Sequence, residues 1–234
     1  MFETNRASSR LSPPRTLVRW GDADLLSAWL LAERLHRGQL RKNSSQPYIT
    51  HPFAVCRLLR RFGASRHIQI AALLHDAVED RDASLIQISE RFSPEVARVV
   101  MQCSRVTTAA DGTRARRHAI ELVRMRTMDS DSQSLKLADI CHNGLTVVRR
   151  DPRFAAVYIP EKRAELDALR APSVPTLLVL AHRIIQRAER SLKANTPPTP
   201  DLMSLPSQML QPMNLRSEPG VSRTPHQHHQ AQAV

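Results

Sequence analysis

Apolar residues recur at helical spacing through most of the chain. From Asp22, the positions Leu25, Leu26, Trp29, Leu30 and Ala32 make one stripe, and Gly38 is placed to end that helix at its C′ position. The stretch "QLRKNSSQPYIT", 39–50, breaks the pattern and reads as a loop. Pro52 suits the first turn of a second helix carrying Val55, Leu58 and Leu59 and stopping at Gly63. A third helix is predicted over 66–80, and Leu85, Ile86 and Ile88 suggest a short fourth. "SPEVARVVMQCS" offers Ser at N-cap, Pro at N1 and apolar i, i+3, i+4 positions. Two helices follow at 115–128 and 131–143, and "IPEKRAELDALR" and "VPTLLVLAHRIIQRAERSL" supply the last two. No strand pattern is clear, although a small irregular or β element has room. The expectation is an all-α bundle over 19–195. It is preceded by a polar, flexible arm over 1–18 and followed by a Pro-, Ser- and Gln-rich disordered tail over 196–234.

Composition narrows the function. With 41% hydrophobic residues in 234, a real core can be buried, so the chain is a folded domain with tails. The net charge of +12 comes from 30 Arg against 4 Lys, a bias common in GC-rich bacterial genomes. These arginines are scattered ("RLLRRF", "RARRH", "VVRRD"), and aromatic residues are only 4%, too few for stacking platforms. A dedicated nucleic-acid binder is disfavoured; a small polyanion suits the charge better. Cys56, Cys103 and Cys141 show no CxxC spacing, which suits reduced thiols of a cytoplasmic protein. No apolar run approaches the roughly 18–20 residues of a membrane span, and the N-terminus lacks a secretory core. Homo-oligomer formation stays open.

The chemistry gathers in "AALLHDAVED". At about 100° per residue, His75 sits at 0°, Glu79 at roughly 40°, Asp76 at roughly 100° and Asp80 at roughly 140°, all on one side of a helix. Asp76 and Asp80 form a like-charge i, i+4 pair, which destabilises a helix. The apolar neighbours point to a largely buried element, where carboxylates are costly unless something cationic compensates. A metal ion does that; a solvated acidic face accounts for Glu79 and Asp80 but less well for the adjacent His-Asp. Elsewhere, "YITHPFAV" puts His51 at a helix entrance, and "SLKLADICHN" puts Asp139 after an apolar run with Asn143 one turn on. Taken alone, His51 reads first as a capping or packing histidine and Asp139 as a helix–helix hydrogen bond or salt bridge. Together, His51, His75, Asp76 and Asp139 make an N/O set suited to a divalent first-row metal. Glu79 and Asp80 could then orient or deprotonate a water.

In order, "HRGQLRK…PYITHP", "AALLHDAVED" and "KLADICHN" resemble the hydrolase domain of RelA/SpoT-type proteins, a branch of the HD-domain phosphohydrolases, over roughly residues 28–195. That resemblance implies an HD-domain helical bundle and one Mn²⁺ held by His51, His75, Asp76 and Asp139. It implies Glu79 and Asp80 as the catalytic acidic pair, and removal of the 3′-pyrophosphate of ppGpp or pppGpp to give GDP or GTP. Arg41, Lys42 and Ser44 match the basic loop that contacts the nucleotide, and Asn143 matches a nucleoside contact. Tyr158 and Lys162 would be phosphate contacts. A dense polyanion suits such a loop, and an arginine plane can also lie on a purine. The loop here, "RKNSSQPY", lacks the family's usual glycine, so an HD phosphohydrolase of another nucleotide (an adenosine alarmone, NADPH or a deoxynucleotide) stays open.

Overall fold

The computed structural model describes residues 10–78 and 83–194. Among them are ten α-helices: α1 Arg15–Arg19, α2 Ala23–Leu35, α3 Thr50–Arg61, α4 Arg66–Leu74, α5 Leu85–Arg91, α6 Pro94–Cys103, α7 Arg114–Met125, α8 Ser130–Arg150, α9 Pro152–Ala168 and α10 Pro175–Lys193. The all-α expectation holds: the described residues contain no strand beyond one isolated antiparallel bridge, Leu40 to Pro47. None of the described helices is long and apolar enough to cross a membrane.

The bundle is organised around α8, which packs against α3, α4, α6, α9 and α10. Leu135, Leu137, Ala138, Ile140 and Cys141 along it are fully buried. Gly144 lets α10 approach closely, since a Cβ there would stand 3.0 Å from Ile184 Cγ2 and 3.2 Å from Ile185 Cδ1. The three cysteines are free and buried.

Helix ends follow local chemistry. Asp22 caps α2 by accepting from the backbone N–H of Asp24 and Leu25, both at 3.0 Å. Ser93 and Pro94 open α6 as the sequence suggests. Gly63, at φ 74°, follows Phe62, the cap of α3, in the left-handed conformation that ends a helix at C′. Gly38 also has positive φ, 78°, but α2 already ends at Leu35 with His36 as its cap.

Several boundaries differ from the sequence reading. Residues 15–18, placed in the arm, belong to α1, because Leu17 finds a buried site (1% exposed). The helix expected over 131–143 continues to Arg150, and α9 starts at Pro152 instead of beside Pro160. Asp151 caps α9 by accepting from Phe154 N–H at 2.9 Å, and Pro152 stands at its first turn. Pro160 inside α9 forfeits one helix hydrogen bond, and burial of Tyr158 and Ile159 just before it offsets the loss.

The helix expected over 66–80 stops at Leu74, and His75 and Asp76 form a turn. His75 Nδ1 lies 2.8 Å from the Ala72 carbonyl, the acceptor that Asp76 N–H would use if the helix continued. The side chain thus competes with the next backbone bond at the place where the helix ends.

Candidate active site

Four elements converge on one pocket. The end of α4 supplies His75 and Asp76, the start of α3 supplies His51, the middle of α8 supplies Asp139 and Asn143, and the loop before α3 supplies Arg41 and Tyr48. His51 and His75 are buried, and the side chain of Asp76 is 20% exposed. One ligand atom from each of His51, His75 and Asp76 lies within 4.8 Å of the other two. Asp76 Oδ2 is 3.3 Å from His75 Nε2 and 3.6 Å from His51 Nε2. Asp139 stands outside that trio but adjoins it, with Oδ1 3.2 Å from His51 Nε2.

The residues fit a divalent cation. His75 donates its Nδ1 proton to the Ala72 carbonyl, which leaves Nε2 as a lone pair facing the cluster. That Nε2 is buried with no hydrogen-bond partner, an expensive arrangement for a group that has nothing to bind. His51 Nδ1 lies 2.7 Å from His142 Nδ1. With the proton on His51 Nδ1 and donated to His142, the Nε2 atom of His51 is likewise a lone pair toward the two aspartates.

Charge is arranged to keep the carboxylates ionised. Burial alone would raise the Asp76 carboxyl, but the charge of His75 and of His51 in their protonated forms, together with the Tyr48 hydroxyl, which donates to Oδ2 at 2.7 Å, holds it below the ordinary range. Burial likewise opposes ionisation of Asp139. Where His51 keeps its proton on Nε2, the hydrogen bond from it and the ammonium of Lys136, 3.7 Å from Oδ2, hold that carboxyl well below its usual value; the lone-pair tautomer is the one that ligates a metal. Burial depresses His51 and pushes His142 well below the usual imidazole range, so both are neutral at pH 7. Neutral imidazoles beside ionised carboxylates are the protonation states that ligate a metal.

The loop over 39–50 is pinned at both edges. Arg41 N–H donates to the Gln46 carbonyl and Tyr48 N–H to the Gln39 carbonyl, each at 2.9 Å. Asn43 takes the left-handed conformation, φ 54°, supplying a turn that glycine more often makes. Its side-chain amide donates to Asp151 at 3.1 Å, and Arg150 donates to Gln46 at 2.8 Å, tying the loop to the end of α8. Arg41 reaches inward: its Nη2 donates to Asn143 Oδ1 at 2.6 Å, and Asn143 Nδ2 donates to Asp139 Oδ1 at 2.6 Å. Lys42 lies over the Phe154 ring, 4.9 Å from its centre, and Ser44 Oγ accepts from Gln46 N–H within the loop.

The structure therefore brings together His51, His75, Asp76, Asp139, Asn143 and Arg41. Lys42 and Ser44 share the loop but have local partners. Glu79 and Asp80 lie outside the described residues. Three neighbours escaped the sequence reading: Tyr48 and Lys136, which support the two aspartates, and His142, which orients His51. Their signal was present in the quoted segments "PYITHP" and "KLADICHN", beside residues that drew the attention.

A helical bundle built around this His-Asp cluster defines the class: the chain belongs to the HD domain family, whose model matches residues 28–162. Within that family it is similar to RelA/SpoT-type proteins. It is 34% identical over 158 residues to a probable GTP pyrophosphokinase of Mycobacterium leprae, covering 67% of this chain and 19% of that protein. It is 29% identical over 163 residues to a guanosine-3′,5′-bis(diphosphate) 3′-pyrophosphohydrolase of Borreliella burgdorferi, covering 68% and 23%. The chain thus spans about a fifth of the length of the curated relatives it matches. A solved structure of a metazoan ortholog of SpoT that hydrolyzes ppGpp superposes with a TM-score of 0.63 at 23% identity, covering 78% of this chain and 99% of that one, a likeness of fold.

Proposed function

We propose that the chain hydrolyses (p)ppGpp to GDP or GTP and pyrophosphate, with Mn²⁺ as its metal. The observation that carries this reading is the buried, unpartnered His75 Nε2 facing Asp76 and His51. Similarity to a guanosine-3′,5′-bis(diphosphate) 3′-pyrophosphohydrolase, the Borreliella protein, supports the substrate. His51, His75, Asp76 and Asp139 would hold the ion. When bound, a divalent ion supplies Lewis acidity to a phosphoryl oxygen and acidifies a water. In the reaction, a water oxygen joins phosphorus as the bond from phosphorus to the ribose 3′ oxygen breaks, and a proton passes to that oxygen. Glu79 and Asp80 are assigned the proton on both sides of this step. Arg41 would place its guanidinium on the base, Asn143 would contact the nucleoside, and Lys42 and Ser44 would face the phosphates. Its free, buried thiols suit a cytoplasmic setting.

A second reading, another nucleotide for the same site, is favoured by the loop over 41–46, which lacks the family's usual glycine and turns at Asn43, φ 54°. One assay panel separates the two. Purified protein with Mn²⁺ should release pyrophosphate from ppGpp, and Asp76→Ala should abolish release. A larger kcat/KM for NADPH, an adenosine alarmone or a deoxynucleotide would move the assignment to the second reading. ppGpp surviving intact with Mn²⁺, Mg²⁺ and Co²⁺ would refute the first.

A further inference from the structure

A cavity of about 590 Å³ lies between the segment 11–14, α2, the start of α3 and the second half of α8, with Gln46 and Pro47 at its edge. It is distinct from the candidate active site. None of the metal-facing residues lines it, and neither do Arg41, Lys42, Ser44 or Asn143; His142, behind His51, does. Its walls are held in place. Leu11 N–H donates to the buried Glu33 (2% exposed) at 3.0 Å, which fixes the 11–14 segment, and the Arg150 bond to Gln46 at 2.8 Å fixes the opposite edge.

The lining has two chemistries. One wall is apolar, built from Trp29, Pro47, Ile49 and Phe53. Trp29 is 2% exposed, and its indole Nε1 has no hydrogen-bond partner among the described residues, although a buried indole N–H usually finds one. The α8 side is cationic. Arg149 has no carboxylate partner among the described residues, Arg150 donates to the neutral amide of Gln46, and the described lining includes no Asp or Glu. Burial and the charges of Arg41 and Arg149 hold the Arg150 guanidinium below its usual value, as expected where like charges gather without a counter-ion. The volume falls within the roughly 300–1,000 Å³ of small-molecule sites. A flat ring with acceptor atoms suits the apolar wall and the indole N–H, and an anionic group suits the two guanidiniums, which bind phosphate oxygens in pairs. A bare inorganic anion would leave the wall wet, and a neutral ring would leave the arginines uncompensated.

We propose that this cavity is a second ligand site, separate from the metal centre, for a heteroaromatic anion of mononucleotide size; it stands whichever nucleotide the metal centre takes. The chain has two tryptophans, so Trp20→Phe leaves Trp29 as the sole reporter. AMP is titrated into the full-length Trp20→Phe protein while Trp29 fluorescence is followed, and calorimetry of the wild type with AMP should give the same midpoint. Saturable quenching is expected. Adenosine and ribose 5-phosphate should each bind about tenfold or more weakly, since each lacks one half of the recognised chemistry. Arg149→Gln, at an exposed position, should weaken AMP about tenfold, whereas Arg41→Gln should leave the quenching unchanged. Quenching lost in Arg41→Gln yet intact in Arg149→Gln would put AMP in the candidate active site and overturn the proposal. So would the absence of AMP binding to Arg41→Gln by calorimetry. Binding that appears only once residues 1–9 are removed would make the chain's own N-terminus the occupant, and would overturn it equally.

Discussion

The contact between His142 and His51 yields a test of the metal assignment that does not touch a ligand. Replacing His142 with Phe keeps a ring of similar shape but removes the nitrogen 2.7 Å from His51 Nδ1. His51 then has no acceptor for a proton on Nδ1, and the tautomer with the proton on Nε2, which blocks the ligand lone pair, gains population. Losing such an outer hydrogen bond typically costs 10–100-fold in metal affinity, or about 1.4–2.8 kcal/mol. With Mn²⁺ held at 100 times the wild-type Kd, binding stabilises the folded wild type by about 2.7 kcal/mol; in the variant the same concentration gives between about 1.4 and 0.4 kcal/mol. Denaturation is followed with and without Mn²⁺ for both proteins. The metal-free pair isolates any packing loss, because only the metal increment tests the contact. An increment in His142→Phe equal to that of the wild type would refute the coupling of His142 to the metal site.

Two further predictions concern the scaffold. Gly144→Val should destabilise the protein by about 1–3 kcal/mol in denaturant titration, because the added carbons meet Ile184 and Ile185; a variant as stable as the wild type would mean that α10 yields there without cost. Burial by itself would raise the Glu165 carboxyl, but the nearby His118, 3.4 Å away, and the charges of Lys162 and Lys136 outweigh it and leave it at about 2, below its ordinary 4.5. Its folded value is depressed, so its stabilisation, about 3 kcal/mol, is complete above about pH 4.5 and is lost as pH falls toward 2; Glu165→Gln should flatten that part of the stability–pH profile.

The sequence carried the helical architecture well because its signals are local and redundant. The Ser93–Pro94 start and the Gly63 stop each need only one or two residues to be recognised. Boundaries failed where tertiary contacts decide. Nothing local in 131–150 says that α8 runs on to Arg150, since that length is stabilised by buried contacts with α3 and α10. Pro160 looked like a helix start because a proline inside a helix is costly, and only the burial around it shows why it is tolerated. At the site, His51, His75, Asp76 and Asp139 were legible as residue types that a core does not accept without compensation. Tyr48, Lys136 and His142 were not, because a tyrosine, a lysine and a histidine each have ordinary roles on a helix or loop. Their significance lies in a hydrogen bond or ion pair to a residue far away in sequence. The turn at His75 was hidden for a related reason: it comes from a side chain bonding to its own backbone, which periodicity does not register.

That early end of α4 has an electrostatic consequence. The peptide dipoles of its nine residues align, so the helix terminus carries roughly half an electron of negative charge, and His75 and Asp76 occupy that terminus. By stopping at Leu74, α4 sets its negative terminus beside His75, whose Nδ1 takes up one of the last open carbonyls, so the imidazole is held by the helix end while its other nitrogen faces the cluster.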